Sequence, residues 1–190
     1  FMIFDLLEDN LTPEYLETIK STGVPVCVIT DSSFYQPFDV DLILNGNPNQ
    51  EAFDYSDLDG QYLIGPQYFI MDSEYARFHP PHDAMKADLL ITLGGSDHNN
   101  LIFRLLKALS SMKKIDSVII ITSKAAGYFQ DLKGFITSLD FDVQLYADVP
   151  TLISYWGQAN LALTAGGNSL FERIASGMPG ATICQLPRQN

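Results

Sequence analysis

Basic residues are scarce in this chain: 11 Lys and Arg stand against 23 Asp and Glu, leaving a formal charge of −12 and an isoelectric point near 4.4. That balance excludes general affinity for nucleic-acid backbone or an anionic membrane surface, both of which need Lys/Arg patches. It leaves room for one anionic ligand, because a helix N-terminus supplies local positive potential without net basic charge. Cysteine is scarce too. Cys27 and Cys184 lie far apart inside apolar runs, which excludes a disulfide framework and reads as two buried thiols in a reducing compartment. No apolar run approaches the length of a membrane span. No signal-peptide pattern precedes the first strand-like run, so the expected setting is cytoplasmic. Three glycine fingerprints are also missing. There is no G-x-G-x-x-G opening a helix, no G-x-x-x-x-G-K-[ST], and no G-x-S-x-G around Ser169. A dinucleotide fingerprint, a P-loop and an esterase elbow are therefore not supported.

What is present is a steady alternation of strand-like and helix-like runs in 190 residues, 46% of them hydrophobic, enough to bury a core. Strands are expected at about 1–5, 25–30, 41–45, 88–93, 117–122, 142–146, 160–164 and 181–185. Helices are expected at Thr12–Thr22, Asn99–Met112, Phe129–Leu139, Pro150–Gln158 and Ser169–Ser176. Thr12 followed by Pro13 reads as a helix start. Val118-Ile119-Ile120-Ile121 is apolar without alternation, so both faces are covered, as in a parallel α/β sheet. From Asn45 to Asp88 the pattern loosens into turn signals such as Asp59-Gly60, Gly65-Pro66 and Pro80-Pro81. This stretch reads as a connection with a short helix near Asp72–Phe78. It predicts two α/β lobes, residues 1–85 and 86–190, the first with about three strands. The abrupt ends suggest an internal piece of a longer protein, with an incomplete first lobe and a truncated second.

Two glycine loops carry the candidate chemistry. One closes Leu89-Leu90-Ile91-Thr92-Leu93 with Gly94-Gly95-Ser96-Asp97; the other closes Leu161-Ala162-Leu163-Thr164-Ala165 with Gly166-Gly167-Asn168-Ser169. A buried strand that turns sharply into a helix leaves free backbone N–H groups at the helix start, which suit a phosphate. Two such loops point to two contacts on a diphosphate, against the plainer alternative of tight turns. Glu172 lies about one helical turn beyond the second loop. A carboxylate there can accept from two adjacent ribose hydroxyls; equally, Ser169-Leu170-Phe171-Glu172 fits a capping box. His79 and His82 have metal-like spacing, but the prolines between them favour a linker. Asp39-Val40-Asp41 resembles a metal-holding aspartate pair, yet Asp41 opens a strand and reads better as a polar strand end. No metal site is expected.

The phrases Ile91–Asp97, Ala165–Glu172 and Gly177-Met178-Pro179 resemble the spore-coat polysaccharide glycosyltransferase-like proteins, which group with the UDP-sugar hydrolase of pseudaminic acid biosynthesis. Asp41–Asn45, Tyr62–Tyr68 and Ser73-Glu74-Tyr75 extend the resemblance through most of the chain. More distantly, the second lobe resembles that of the peptidoglycan N-acetylglucosaminyltransferase. The resemblance implies a GT-B fold of two Rossmann-like lobes with parallel sheets. It also implies a UDP-sugar enzyme of surface polysaccharide or nonulosonic acid biosynthesis, working by glycosyl transfer or hydrolysis at the anomeric C–O bond without a cofactor. By position, Gly94, Gly95, Ser96 and Asp97 would line the cleft. Gly166, Gly167, Asn168 and Ser169 would meet the diphosphate, and Glu172 the ribose. Backbone at Asp148 and Val149 would face the uracil, and Gln189 and Asn190 would reach the sugar. Two departures matter. The family's N-terminal Gly-His pair, source of its candidate base, is absent, and His98 in the second lobe is not its equivalent. The Asp-x-Tyr segment is weakened around Asp5-Leu6-Leu7-Glu8-Asp9. A UDP-sugar epimerase of the same fold and a non-catalytic scaffold module are the rival readings.

Overall fold

The computed structural model describes residues 1–5, 12–30, 40–48, 60–80, 86–95, 97, 99–112 and 114–185. They form two compact units, Phe1–Met71 and Asp72–Asn190. In the first unit, four described strands form a fully parallel sheet in the order β1-β2-β3-β4: β1 Met2–Asp5, β2 Val26–Ile29, β3 Leu42–Asn45 and β4 Gln61–Ile64. Helix α1, Pro13–Lys20, starts where expected. Thr12 Oγ1 accepts from the Tyr15 amide at 3.3 Å, and Pro13 occupies the first turn, where its missing N–H costs nothing. Leu16 and Ile19 carry one face of α1 into a core of Phe4, Val26, Val28, Val40, Ile43 and Ile64. The Asp41 side chain accepts from the Val26 amide at 2.7 Å, tying the start of β3 to that of β2. It is a strand-end group, as its position suggested; Asp39 and His82 lie outside the described residues. Strand β4 was not expected. It has only four residues, set between Gly60 and Gly65-Pro66, too short for alternation to stand out against the turn signals.

In the second unit, five described strands run parallel in the order β7-β6-β5-β8-β9: β5 Ala87–Thr92, β6 Ser117–Thr122, β7 Asp142–Ala147, β8 Ala159–Ala165 and β9 Gly180–Ile183. Helices α2, Leu101–Ser110, and α3, Phe129–Ile136, cover one face. Ile102, Leu106, Leu109 and Leu132 pack there on Leu89, Ile91, Val118 and Ile120. Helix α4, Asn168–Ala175, belongs to the other face: the Arg173 guanidinium donates to Thr182 Oγ1, itself 3.2 Å from Thr164 Oγ1. Alternation along a strand puts these threonines opposite the Leu89–Ile91 side.

The division between units falls at 71/72 rather than near 85, because the 3₁₀ helix Ser73–Arg77 packs into the second unit. Tyr75 is buried there, and its hydroxyl accepts from Trp156 Nε1 at 3.0 Å. Residues 150–158 form turns, not the expected helix; Leu152 O accepts from both Tyr155 and Trp156, and Gly157 takes a left-handed φ of 91°. Burial of Trp156 fixes this segment better than helix propensity would. Cys27 is buried as expected, but Cys184 is exposed, because β9 ends at Ile183 and the next residue leaves the sheet.

Gly180 pairs with Ala162 across β8 and β9, and an added Cβ would overlap the Ala162 carbonyl. The clash is with backbone, which cannot rotate away. Gly180→Ala is therefore expected to lower stability by about 1–3 kcal/mol, read as a lower urea midpoint. An unchanged midpoint would show that the two strands separate easily.

Candidate functional site

In the second unit the chain leaves β5 toward β6 on one side, and β8 lies on the other. This is the point where an open parallel sheet changes direction, and the crevice beyond its strand ends is where such sheets take ligands. Both glycine loops follow the two strands that flank it, and they lead to helices on opposite faces. Between them lies a cleft of 580 Å³. Its wall includes Gly94 and Gly95 from the first loop, Val149 after β7, Gly167, Asn168 and Ser169 from the second loop, and Glu172 one turn into α4. With Asp148 beside Val149, eight of the expected residues thus meet in one space. Gly166 sits within the second loop without forming the wall. Ser96, His98, Gln189 and Asn190 lie outside the described residues.

The two loops are not equivalent. Asp97 does not face the cleft; it is 1% exposed and turned into the start of α2. Its two carboxylate oxygens accept from the Leu101 and Ile102 amides, each at 3.0 Å. These are orphan donors of a helix N-terminus, and Asp97 supplies an internal anion in place of a ligand's. Its expected ligand role is corrected on that ground. Helix α4 is different: no side chain caps it, and Gly167 stands at its N-cap position. Ser169 lies inside the helix, and its hydroxyl donates back to Ala165 O at 3.4 Å. The capping box with Glu172 is therefore not formed.

Glu172 is instead half-buried on the cleft wall, in the helix that packs on Ser73–Arg77. Burial pushes its carboxyl above the usual carboxylate range; the nearby Tyr75 hydroxyl opposes that shift, and the Asp72 charge adds to it. Burial likewise pushes the Tyr75 hydroxyl up to about 12, so it stays a donor at every working pH. Tyr75 and Trp156, which sequence reasoning passed over, join the Ser73–Arg77 helix to the turns at 150–158. Tyr75 belonged to a resembling phrase, and Trp156 is the single tryptophan; either could have drawn notice, but nothing in the sequence joins them.

Just before Val149, Asp148 adopts a left-handed φ of 53°. Its carboxylate accepts from Ser123 Oγ at 2.9 Å and the Lys124 amide at 3.0 Å, bracing the turn after β7 against the turn after β6. The Lys124 amide and then the Ser123 hydroxyl hold its carboxyl below the ordinary range. Gln185 Nε2 donates to Leu93 O at 2.9 Å, closing the cleft at the first loop. No Lys or Arg is among the described wall residues. Among the described residues, no cluster of three or more His, Cys, Asp or Glu side chains could hold a metal. No described helix is long and apolar enough to cross a membrane.

No family model matches the sequence. The chain is 24% identical over 201 residues to the spore coat polysaccharide biosynthesis protein SpsG of Bacillus subtilis, covering 99% of this chain and 56% of that one. It is 23% identical over 171 residues to the UDP-2,4-diacetamido-2,4,6-trideoxy-beta-L-altropyranose hydrolase of Campylobacter jejuni, covering 88% and 60%. Among solved structures, MurG of Acinetobacter baumannii superposes with a TM-score of 0.56 at 14% identity, over 90% of this chain and 49% of that one. The chain is a distant homologue of the first two proteins. It shares the α/β, GT-B fold of the third. It spans about half the length of these proteins.

Proposed function

We propose that the chain binds a nucleoside diphosphate sugar, UDP-linked, in the cleft of its second unit, as part of an enzyme of surface polysaccharide biosynthesis. The observation that carries this reading is the joint presence on one cleft wall of the uncapped α4 N-terminus and the Glu172 carboxylate. The diphosphate would sit against the Asn168 and Ser169 amides, where the helix dipole favours negative charge. Glu172, acceptor-only when ionised, would take the ribose hydroxyls, and backbone at Val149 would face the base. With α2 already capped by Asp97, the diphosphate is assigned to one loop rather than shared by two.

Cleaving the anomeric C–O bond places developing negative charge on the departing diphosphate. Preorganised N–H donors at that position stabilise the transition state more than the ground state. The sugar then passes to water or to an acceptor hydroxyl, with a base to take the proton. The similarity to a UDP-sugar hydrolase and to a polysaccharide biosynthesis protein supports this class of reaction.

Calorimetry of the chain with UDP and UMP tests the reading. UDP is expected to bind roughly tenfold more tightly than UMP, the effect of charge-assisted bonds to the second phosphate. Equal affinity would remove the diphosphate from α4, and no heat from UDP or any UDP-sugar would overturn the site.

A further inference from the structure

The turns after β6 and β7 form one side of the cleft in the second unit. The first supplies Thr122 and Ser123, the second Asp148, Val149 and Pro150. A single residue ties them together. The Asp148 amide donates to Thr122 O at 3.0 Å, and its Oδ1 accepts from Ser123 Oγ at 2.9 Å and from the Lys124 amide at 3.0 Å. The Ser123 hydroxyl also accepts from the Ala125 amide at 3.1 Å. A backbone amide can only donate and an ionised carboxylate only accept, so the hydroxyl proton goes to Asp148. Lys124 Nζ lies 3.7 Å from Asp148 Oδ2, but both side chains are exposed, and such a pair contributes little. The brace is the pair of bonds at Oδ1.

What the brace holds is an uncommon backbone. Asp148 has a φ of 53°, in the left-handed region that Asp and Asn enter more readily than other L residues. Pro150 follows Val149, and a proline biases the residue before it to extended backbone. Val149 is thus confined from both sides. Among the described residues its N–H and C=O make no hydrogen bond. In extended backbone these two groups face the same way, as where paired antiparallel residues exchange both bonds. Val149, on the cleft wall, therefore offers a donor beside an acceptor.

We propose that Asp148 is a positioning residue for base selection: braced on Ser123 and the Lys124 amide, it holds the Val149 backbone in register with the edge of a nucleobase. This rests on the reading of the cleft as a nucleotide-sugar site. The edge that fits carries an acceptor next to a ring N–H donor, as O4 and N3–H of uracil do. Cytosine presents the reverse, an amino donor next to a ring acceptor, and would set like groups against each other. Selection of this kind uses no side chain at the base. It depends on the backbone being fixed where hydrogen-bond geometry is met.

The test measures UDP and CDP affinities by calorimetry for wild type, Asp148→Ala, Asp148→Asn and Ser123→Ala, with a urea midpoint for each. Wild type is expected to favour UDP. Asp148→Ala loses both bonds at Oδ1 and the tolerance for positive φ. Its UDP affinity should fall about threefold to tenfold, the value of one ordinary hydrogen bond to the base. CDP, which gains nothing from that edge, should bind nearly as before, so the preference shrinks. Asp148→Asn keeps an oxygen for both donors and suits the same φ, so it should retain the wild-type preference. Rescue by this neutral side chain separates bracing from charge. Ser123→Ala removes one bond and leaves Asp148 in place; the preference should shrink in the same direction, and this variant carries the test if Asp148→Ala does not fold. An unchanged preference in the alanine variant, equal losses for both nucleotides included, overturns the positioning role, as does an asparagine variant that behaves like alanine. A wild type that binds both nucleotides equally overturns base reading at Val149, and the role with it, while leaving the diphosphate site standing. A wild type that binds neither overturns the cleft assignment as well.

Discussion

Glu172→Gln is expected to weaken UDP binding by roughly tenfold to a hundredfold while leaving the unfolding midpoint nearly unchanged. Hydrogen bonds to charged groups contribute about 1.5–3 kcal/mol, and every 1.4 kcal/mol is tenfold in affinity. The amide has nearly the size and shape of the carboxylate, so the packing of α4 on the Ser73–Arg77 helix survives. What disappears is the charge that strengthens the bonds to ribose. 2′-Deoxy-UDP should bind the wild type less well than UDP and lose little more in the variant. Burial raises the Glu172 carboxyl, so the neutral amide also removes a cost that the folded protein carries at neutral pH. A variant with wild-type UDP affinity would remove Glu172 from the nucleotide site.

Asp97→Ala is expected to show the opposite profile, a large loss of stability with little change in nucleotide affinity. The buried carboxylate satisfies the Leu101 and Ile102 amides at the start of α2, from which Ile102, Leu106 and Leu109 enter the core. Alanine strands both amides. Losing a helix cap costs about 0.5–2 kcal/mol and an unsatisfied buried donor about 1–3 kcal/mol, so a combined loss of about 2–4 kcal/mol is expected. Chemical denaturation would read it as a lower midpoint with an unchanged slope. UDP affinity, measured where the variant is fully folded, should stay within about threefold of wild type, less than 1 kcal/mol. The reverse outcome, intact stability with lost binding, would return Asp97 to the ligand-facing residues.

The contrast between Asp97 and Glu172 shows where sequence reasoning reaches and where it stops. Both are acids beside a Gly-Gly turn, and both were expected at the nucleotide. Spacing from the glycine pair, two residues for Asp97 and five for Glu172, is all that a sequence offers, and neither value says whether a side chain turns into its helix or faces the cleft. Which of them does so is settled by neighbours brought in from elsewhere. The helix of Glu172 packs on Ser73–Arg77, and Tyr75 there meets Trp156 across a separation of 81 residues. The same contact moved the division between the units from about 85 to 71/72, since no local signal ties Asp72–Arg77 to the segment that follows.

By itself the sequence determined the parallel α/β architecture. Apolar stretches such as Val118–Ile121 are buried on both faces, and only helices on both sides of a sheet permit that. It also determined the helix start at Thr12-Pro13 and the strand-to-helix turns at both Gly-Gly pairs, because capping and glycine turns depend on residues a few positions apart. The tertiary structure alone decided the strand β4, which is too short to declare itself, and the turns at 150–158, where burial of Trp156 overrides helix propensity. It alone decided that α2 carries its own anion while α4 lacks a cap, and that Tyr75 meets Trp156. The physical reason is common to all of these: a hydrogen bond or a buried ring takes its partner from wherever the chain returns in space, and that return is absent from any local pattern.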